Sequence, residues 1–266
     1  MTTDDDRLAR DLASEAGRLL LALRAEGGEP AALRKAGDRK SHEFLAARLA
    51  ELRPQDSVLS EEGRDDLGRL SADRVWIVDP LDGTREFGEP GRTDWAVHVA
   101  LWEGGELTAG AVALPAQGGA VLSTAEPPPA PPAPPPGQPV RVLVSRTRPP
   151  AFLEQLAEQI ELTLIPLGSA GAKAAEVIRG DADAYVHSGG QYEWDSAAPV
   201  AVAVAAGLHA SRLDGSKLAY NQADPSLPDI LICRAAIAPL LLETIGSLVT
   251  AAASGQPVST STPEPH

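Results

Sequence analysis

Disulfide bonding within the chain is excluded at once, because its 266 residues include one cysteine, Cys233. That scarcity fits a reducing, cytoplasmic setting. Basic residues are also in short supply: 23 Lys and Arg stand against 37 Asp and Glu, a net charge of −14. Such a chain repels nucleic-acid polymers and anionic membrane surfaces. No apolar run reaches the ~20 residues that a bilayer-spanning helix needs. After Met1 the chain reads Thr-Thr-Asp-Asp-Asp, which is not the basic and then apolar pattern of a secretory signal. There is no internal repeat, no Ser-His-Asp arrangement and no Cys/His cluster. What is present is a 43% hydrophobic, globular composition, long enough for a large core and two lobes.

Leu8, Leu12, Ala16, Leu19, Leu20 and Leu23 recur at helical spacing, which predicts an amphipathic helix over about 7–25. A second is expected over about 38–52, stopped by Arg53-Pro54. Strand patterns follow at 75–79, 95–102, 107–114 and 120–124, with Gly104-Gly105 and Gly118-Gly119 as turns. Residues 127–139 are almost all proline and alanine and can be neither strand nor ordinary helix. They read as an exposed polyproline spacer, with an SH3-type ligand as the alternative. From 140 to 251 strand and helix patterns alternate, which implies an α/β layer sandwich. Four segments result: an N-terminal α+β lobe (1–126), the spacer (127–139), a C-terminal α/β lobe (140–251) and a Ser/Thr/Pro-rich tail (252–266) expected to be disordered. Cys233 follows an apolar run and reads as a buried small hydrophobe. His98 and His187 sit in strand patterns and read as core or strand-face residues.

The chain is organised around Val75-Trp76-Ile77-Val78-Asp79-Pro80-Leu81-Asp82-Gly83-Thr84. Its apolar start reads as a buried strand. Pro80 removes a backbone donor and is expected to end the ladder. Asp79 and Asp82 bracket Leu81, so a turn there can aim two carboxylates and the Leu81 carbonyl at one point. Hard oxygen donors of this kind suit Mg²⁺, and N–H groups of the Gly83-Thr84 bend suit a phosphate. Glu61, after the short run Val58-Leu59, and Asp195, opening an Ala/Val-rich helix, are placed for the same work. The alternatives are a solvated loop for Glu61 and a simple helix cap for Asp195. The chemistry these residues point to is metal-dependent phosphate-ester cleavage.

Residues 76–84 together with Trp194-Asp195-Ser196-Ala197-Ala198-Pro199, preceded by Ser60-Glu61-Glu62, resemble the signatures of the inositol monophosphatase superfamily. The resemblance spans nearly the whole chain apart from the spacer and the tail. It implies a layered αβαβα sandwich of the sugar-phosphatase type, in two lobes. It implies that Glu61, Asp79, the Leu81 carbonyl, Asp82 and Asp195 hold Mg²⁺, and that Gly83 and Thr84 N–H groups hold the phosphate. Thr84 and Asp38, with Glu61 beside them, would orient or deprotonate an attacking water that the metals activate. One departure stands out. Leu33-Arg34-Lys35-Ala36-Gly37-Asp38 is shorter than the family's flexible loop, and Lys35 stands where a threonine is expected. A helix cap is therefore an alternative for Asp38.

Within the superfamily the chain is most similar to the bacterial CysQ-type 3′(2′),5′-bisphosphate nucleotidases, on three features. Gly168-Ser169 with Lys173 resembles their Gly-x-x-x-x-Lys element, Pro199 stands where inositol phosphatases have glycine, and Ser188 stands where they have a ring-binding glutamate. Asp214-Gly215 and Leu218-Ala219-Tyr220-Asn221 are similar too. The implied substrate is 3′-phosphoadenosine 5′-phosphate, cleaved to AMP and phosphate, and the implied pathway is sulfate assimilation. Arg85, Arg92, Arg146 and Lys173 are candidate partners for its phosphates; the alternative for Lys173 is a solvated helix lysine. Inositol 1-phosphate and fructose 1,6-bisphosphate are alternative substrates, and a non-catalytic nucleotide or phosphate sensor is the reading from a different class. The expected partner is a small phosphorylated nucleotide or sugar; a homodimer stays open.

Overall fold

The computed structural model describes residues 4–254. The tail expected over 252–266 lies outside them except for its first three residues, which continue the last helix.

The first helix, α1 (Asp4–Glu26), buries Ala9, Leu12, Ala13, Ala16, Leu20 and Leu23 along one face. The next, α2 (Pro30–Leu52), starts well before the expected residue 38. Glu29 is the reason: its carboxylate accepts the N–H groups of Ala31 and Ala32 at 2.9 and 3.1 Å, and Pro30 fills the first helical position, where its missing N–H costs nothing. Asp38 therefore lies inside the helix, and the cap reading is corrected.

Five strands form the first sheet in the order β1 (Ser57–Ser60), β2 (Arg74–Asp82), β3 (Ala96–Glu103), β4 (Glu106–Leu114), β5 (Ala120–Ser123). β1 and β2 are parallel; the rest is an antiparallel meander. The β3–β4 turn is made by Gly104 and Gly105, both at positive φ (57° and 97°), as a tight hairpin requires. Pro80 does not end β2. The strand runs on to Asp82 through a register shift between Asp79 and Asp82, and a bulge is where a strand tolerates proline. The short helix α3 (Thr84–Gly88) follows.

Residues 127–139 carry no helix or strand and cross to the second sheet. They do not stand free of it, because Arg234 donates to the Pro132 carbonyl at 2.5 Å. The elements beyond are β6 (Val140–Ser145), α4 (Leu153–Gln159), β7 (Leu162–Leu167), α5 (Ala170–Arg179), β8 (Ala184–Tyr192), α6 (Glu193–Ala205), β9 (His209–Ser211), β10 (Ser226–Cys233) and α7 (Ala238–Ser254). The second sheet is ordered β7-β6-β8-β10-β9, parallel at β7-β6-β8 and antiparallel beyond.

Three apolar cores separate five layers. Helices α1 and α2 cover one face of the first sheet through Leu12, Leu20, Leu45, Leu49, Trp76 and Trp95. Alanine-rich α5 and α6 fill the space between the sheets, with Ala174, Ala175, Ala197 and Ala198 fully buried. Helices α4 and α7 close the outer face through Leu153, Leu156, Leu241 and Ile245, with Cys233 buried among them. This is the αβαβα layering expected. The small middle-layer side chains let helix backbone approach the sheet: a methyl on Gly110 of β4 would lie 2.6 Å from Ala201 Cβ.

Candidate active site

The register of β1 on β2 builds the first part of the site. Ser60 pairs with Val78, so the next residues, Glu61 just past the end of β1 and Asp79 where the bulge of β2 begins, emerge side by side. The bulge then turns Asp82 toward the same cleft. Gly83 follows with φ +83°, in the left-handed region, and a Cβ there would come within 3.0 Å of Ser169 and 3.1 Å of the Asp94 carbonyl. Glycine is thus needed both for conformation and for space. From the other side, α6 brings Asp195 at its third position, where it accepts the Tyr192 N–H at 2.7 Å.

Asp79, Asp82 and Asp195 offer carboxylate oxygens that lie within 4.8 Å of one another. Burial, then the Glu61 charge, pushes Asp79 well above the usual carboxylate range. Burial and Asp82 push Asp195 up to about 6. Glu61 rises to about 7, from desolvation in the cleft and from Asp195. Asp82 behaves in the opposite way. Burial would raise it, but His98, Ser169 and the Gly171 N–H hold it at about 2. Its carboxylate accepts the Ser169 hydroxyl and the N–H groups of Ala170 (3.1 Å) and Gly171 (2.7 Å) at the start of α5, and His98 Nε2 lies 3.2 Å away. Asp82 therefore ties the first sheet to the middle helix layer. Buried carboxylates this close repel unless protonated or bridged by a cation. Hard oxygen donors in such a cluster fit a divalent ion of the Mg²⁺ type.

Above the cluster, Thr84 Oγ1 lies 3.1 Å from Asp38 Oδ1 and 3.0 Å from the Leu81 carbonyl. Burial raises Asp38 to about 6, against the Thr84 hydrogen bond, which lowers it. Gly37 explains how α2 comes so close: a methyl there would meet Leu81 and Phe87 at 2.8 Å.

The cleft is a cavity of about 370 Å³ between the two sheets. Glu61, Asp82, Gly83, Thr84, Arg85 and Asp195 line it, together with Arg146 and Lys173. Lys173 is buried, not solvated as its alternative had it. Its ammonium donates to the carbonyls of Gly168 and Ser169, and burial lowers it to about 8. Arg146 is engaged by Glu86 (2.6 Å) and Glu89 (3.0 Å). Arg92 is outside the cavity and paired with Asp94, which corrects its place among phosphate partners. Ser188 is exposed on β8 and does not line the cavity. Arg148, His187 and Gln191, which also line it, were not singled out from sequence as site residues. The one available signal was the Gly189-Gly190 pair just after the strand pattern that holds His187; the strand in fact continues through it, and a glycine pair inside a strand marks a kink.

The chain belongs to the inositol monophosphatase family, whose model matches residues 7–249. Among curated relatives, the 3′-phosphoadenosine 5′-phosphate phosphatase of Mycobacterium bovis is 57% identical over 239 residues, covering 87% of this chain and 89% of that protein. The Mycobacterium leprae protein of the same name is 54% identical over 252 residues (91% and 93%). The Escherichia coli 3′(2′),5′-bisphosphate nucleotidase CysQ is 33% identical over 198 residues (70% and 78%). The crystal structure of CysQ from Bacteroides thetaiotaomicron superposes with a TM-score of 0.75 at 26% identity, covering 87% of this chain and 97% of that one. Among the described residues no helix is long and apolar enough to cross a membrane.

Proposed function

We propose that this chain is a Mg²⁺-dependent phosphatase that hydrolyses 3′-phosphoadenosine 5′-phosphate to AMP and phosphate. The observation that carries the reading is the trio Asp79, Asp82 and Asp195, with oxygens within 4.8 Å, beside a cavity lined by Asp82, Asp195 and Thr84, whose hydroxyl lies 3.1 Å from Asp38. The relatives above 50% identity carry the name of that activity.

Glu61, Asp79, Asp82, Asp195 and the Leu81 carbonyl would hold the metal. Bound there, Mg²⁺ supplies neutralisation of the phosphoryl oxygens and a lower pKa for water. The chain's own groups do the rest. N–H groups of Gly83 and Thr84 face the phosphate at the bend. Asp38 accepts a proton through the Thr84 hydroxyl, which it holds at 3.1 Å, and so orients the attacking water by general-base assistance. A carboxyl raised to about 6 is a better base near neutrality than an ordinary aspartate. That pairing also favours an enzyme over a silent sensor, because a sensor has no use for a placed base.

Phosphate release from 3′-phosphoadenosine 5′-phosphate, inositol 1-phosphate and fructose 1,6-bisphosphate, each with Mg²⁺ or EDTA, tests the reading. The nucleotide should show the highest kcat/KM, and EDTA should abolish turnover. Faster turnover of either sugar phosphate sinks the substrate, and nucleotide binding without phosphate release sinks the enzyme. The domain division at 126, 139 and 251, and the cytoplasmic setting, belong to the same proposal.

A further inference from the structure

The cavity has four basic side chains on its walls: Arg85, Arg146, Arg148 and Lys173. Arg146 is neutralised by Glu86 and Glu89. Lys173 spends two of its three N–H donors on backbone carbonyls. Arg85 directly follows Gly83 and Thr84, beside the acidic end where the scissile phosphate is placed. Arg148 lines the cavity from the second sheet, on the loop between β6 and α4, and makes no ion pair among the described residues. Its backbone is fixed by the Arg148 N–H donating to Ser145 Oγ at 3.1 Å. Its guanidinium rests on a kink in β8 where Gly189 and Gly190 have φ of +81° and +70°. A methyl built on Gly190 would lie 2.6 Å from Arg148 Nη1, so glycine there gives the guanidinium its seat.

His187, on the same wall, is no substitute. Its Nε2 lies 2.7 Å from the Gly189 carbonyl, which can only accept, so Nε2 carries the proton. Nδ1, buried and without a partner among the described residues, is left as an acceptor and repels an anion. The five N–H donors of a guanidinium are what a phosphate dianion takes up in bidentate fashion.

We infer that Arg148, seated on the Gly189-Gly190 kink, binds the substrate phosphate that is not cleaved and makes the enzyme prefer bisphosphates over monophosphates. This rests on the nucleotide reading above and names the residue that discriminates within it. A positioned guanidinium–phosphate contact is worth on the order of tenfold or more in affinity.

The test compares 3′-phosphoadenosine 5′-phosphate with adenosine 3′-phosphate, which lacks the second phosphate, in the wild type, Arg148→Gln, Arg148→Lys and Gly190→Ala. In Arg148→Gln the ratio of kcat/KM values, bisphosphate over monophosphate, should fall about tenfold or more. The loss should sit in KM, and Arg148→Lys should recover part of it. Gly190→Ala, which displaces the guanidinium, should shift the ratio the same way. Arg148 is exposed, so its replacement leaves the fold intact. Equal loss on both substrates, or no change in the ratio, overturns the inference while the function stands. A wild type that fails to hydrolyse the bisphosphate overturns the function and the inference together.

Discussion

The two walls of the cavity are built on different principles. The acidic wall comes from strand ends and a bulge of the first sheet, completed by the first turn of α6. Asp79 and Asp82 are buried, and Asp82 is held by three donors at the start of α5. The basic wall comes from the β6–α4 loop, the kinked end of β8 and the start of α5, and Arg148 and Thr147 are exposed. Reaction chemistry on a phosphoryl group needs fixed charge in a dry place, because electrostatic stabilisation is strong only when preorganised. Recognition of the rest of the substrate tolerates mobile side chains in contact with water. The contrast predicts that substitutions on the first wall cost kcat and those on the second cost KM.

Asp79→Asn should break the acidic wall most severely. Removing one carboxylate from a metal and phosphoryl site should lower kcat on the order of 10³-fold, with the far-UV spectrum unchanged. A loss under tenfold, measured as phosphate release in saturating Mg²⁺, would move the metal site elsewhere.

Asp38→Asn should follow, lowering kcat by about 10²-fold through loss of the base. The wild-type rate should fall as pH drops through about 6, where Asp38 takes up its proton. An acid limb that survives unchanged in Asp38→Asn would assign that titration to another group.

The same wall makes a prediction about stability. Glu61 and Asp195 have folded values of about 7 and 6, above the ordinary range of about 4 in an unfolded chain. Between those limits the folded state binds more protons than the unfolded one, so stability falls as pH rises from about 4 to about 7. The metal-free protein should have a lower Tm at pH 8 than at pH 5, and Mg²⁺ should raise the pH 8 value more. Each kcal/mol corresponds to about 2–4 °C at this size. Identical Tm values with and without Mg²⁺ at pH 8 would remove the cation from the cluster.

Arg146→Ala tests the link between the walls, since Arg146 at the end of β6 holds Glu86 and Glu89 at and just beyond α3. Glu89 is partly solvated but Glu86 is buried, so its carboxylate is left without its cation and a loss of about 2–4 kcal/mol is expected, with a few-fold change in KM for the nucleotide. Arg92→Ala should do least. It lies outside the cavity lining and pairs with buried Asp94, which accepts the N–H of Gly168 in the cavity wall at 2.8 Å, so it acts only through that contact and kcat/KM should fall by no more than about threefold. A large effect would return Arg92 to the phosphate partners.

Much of the fold was legible because its signals are local. The strands expected at 95–102, 107–114 and 120–124 lie within one residue of β3, β4 and β5 at each end. Two local readings failed for a shared reason. Pro80 was expected to end a strand that a bulge lets continue, and α2 was expected to start at Asp38 when a glutamate cap and Pro30 start it eight residues earlier. In both, a neighbouring residue overrode a single-residue rule. The site's acids were legible as a set, through the Asp79-Asp82 spacing and the family resemblance, but the groups that hold Asp82 were not. Nothing local brings Ser169, Ala170 and Gly171 to Asp82, or His98 within 3.2 Å of it. Lys173 could be read as a phosphate partner or as a solvated helix lysine, because helical spacing does not tell which layer a helix joins.

The order of strands and helices, the acidic balance, the Gly83 bend and the oxygen donors flanking it were determined by the sequence alone, since each depends on residues a few positions apart. Which carboxylates meet, which cations are left without a carboxylate, and which histidine faces Asp82 were decided by how five layers stack. Those contacts join residues about a hundred positions apart or more, such as His98 and Trp194, 96 positions apart in sequence, and the still more distant Asp79 and Asp195. Closing loops of that length is driven by burying the apolar faces of sheets and helices, and the polar groups of the site are carried to their places by that packing.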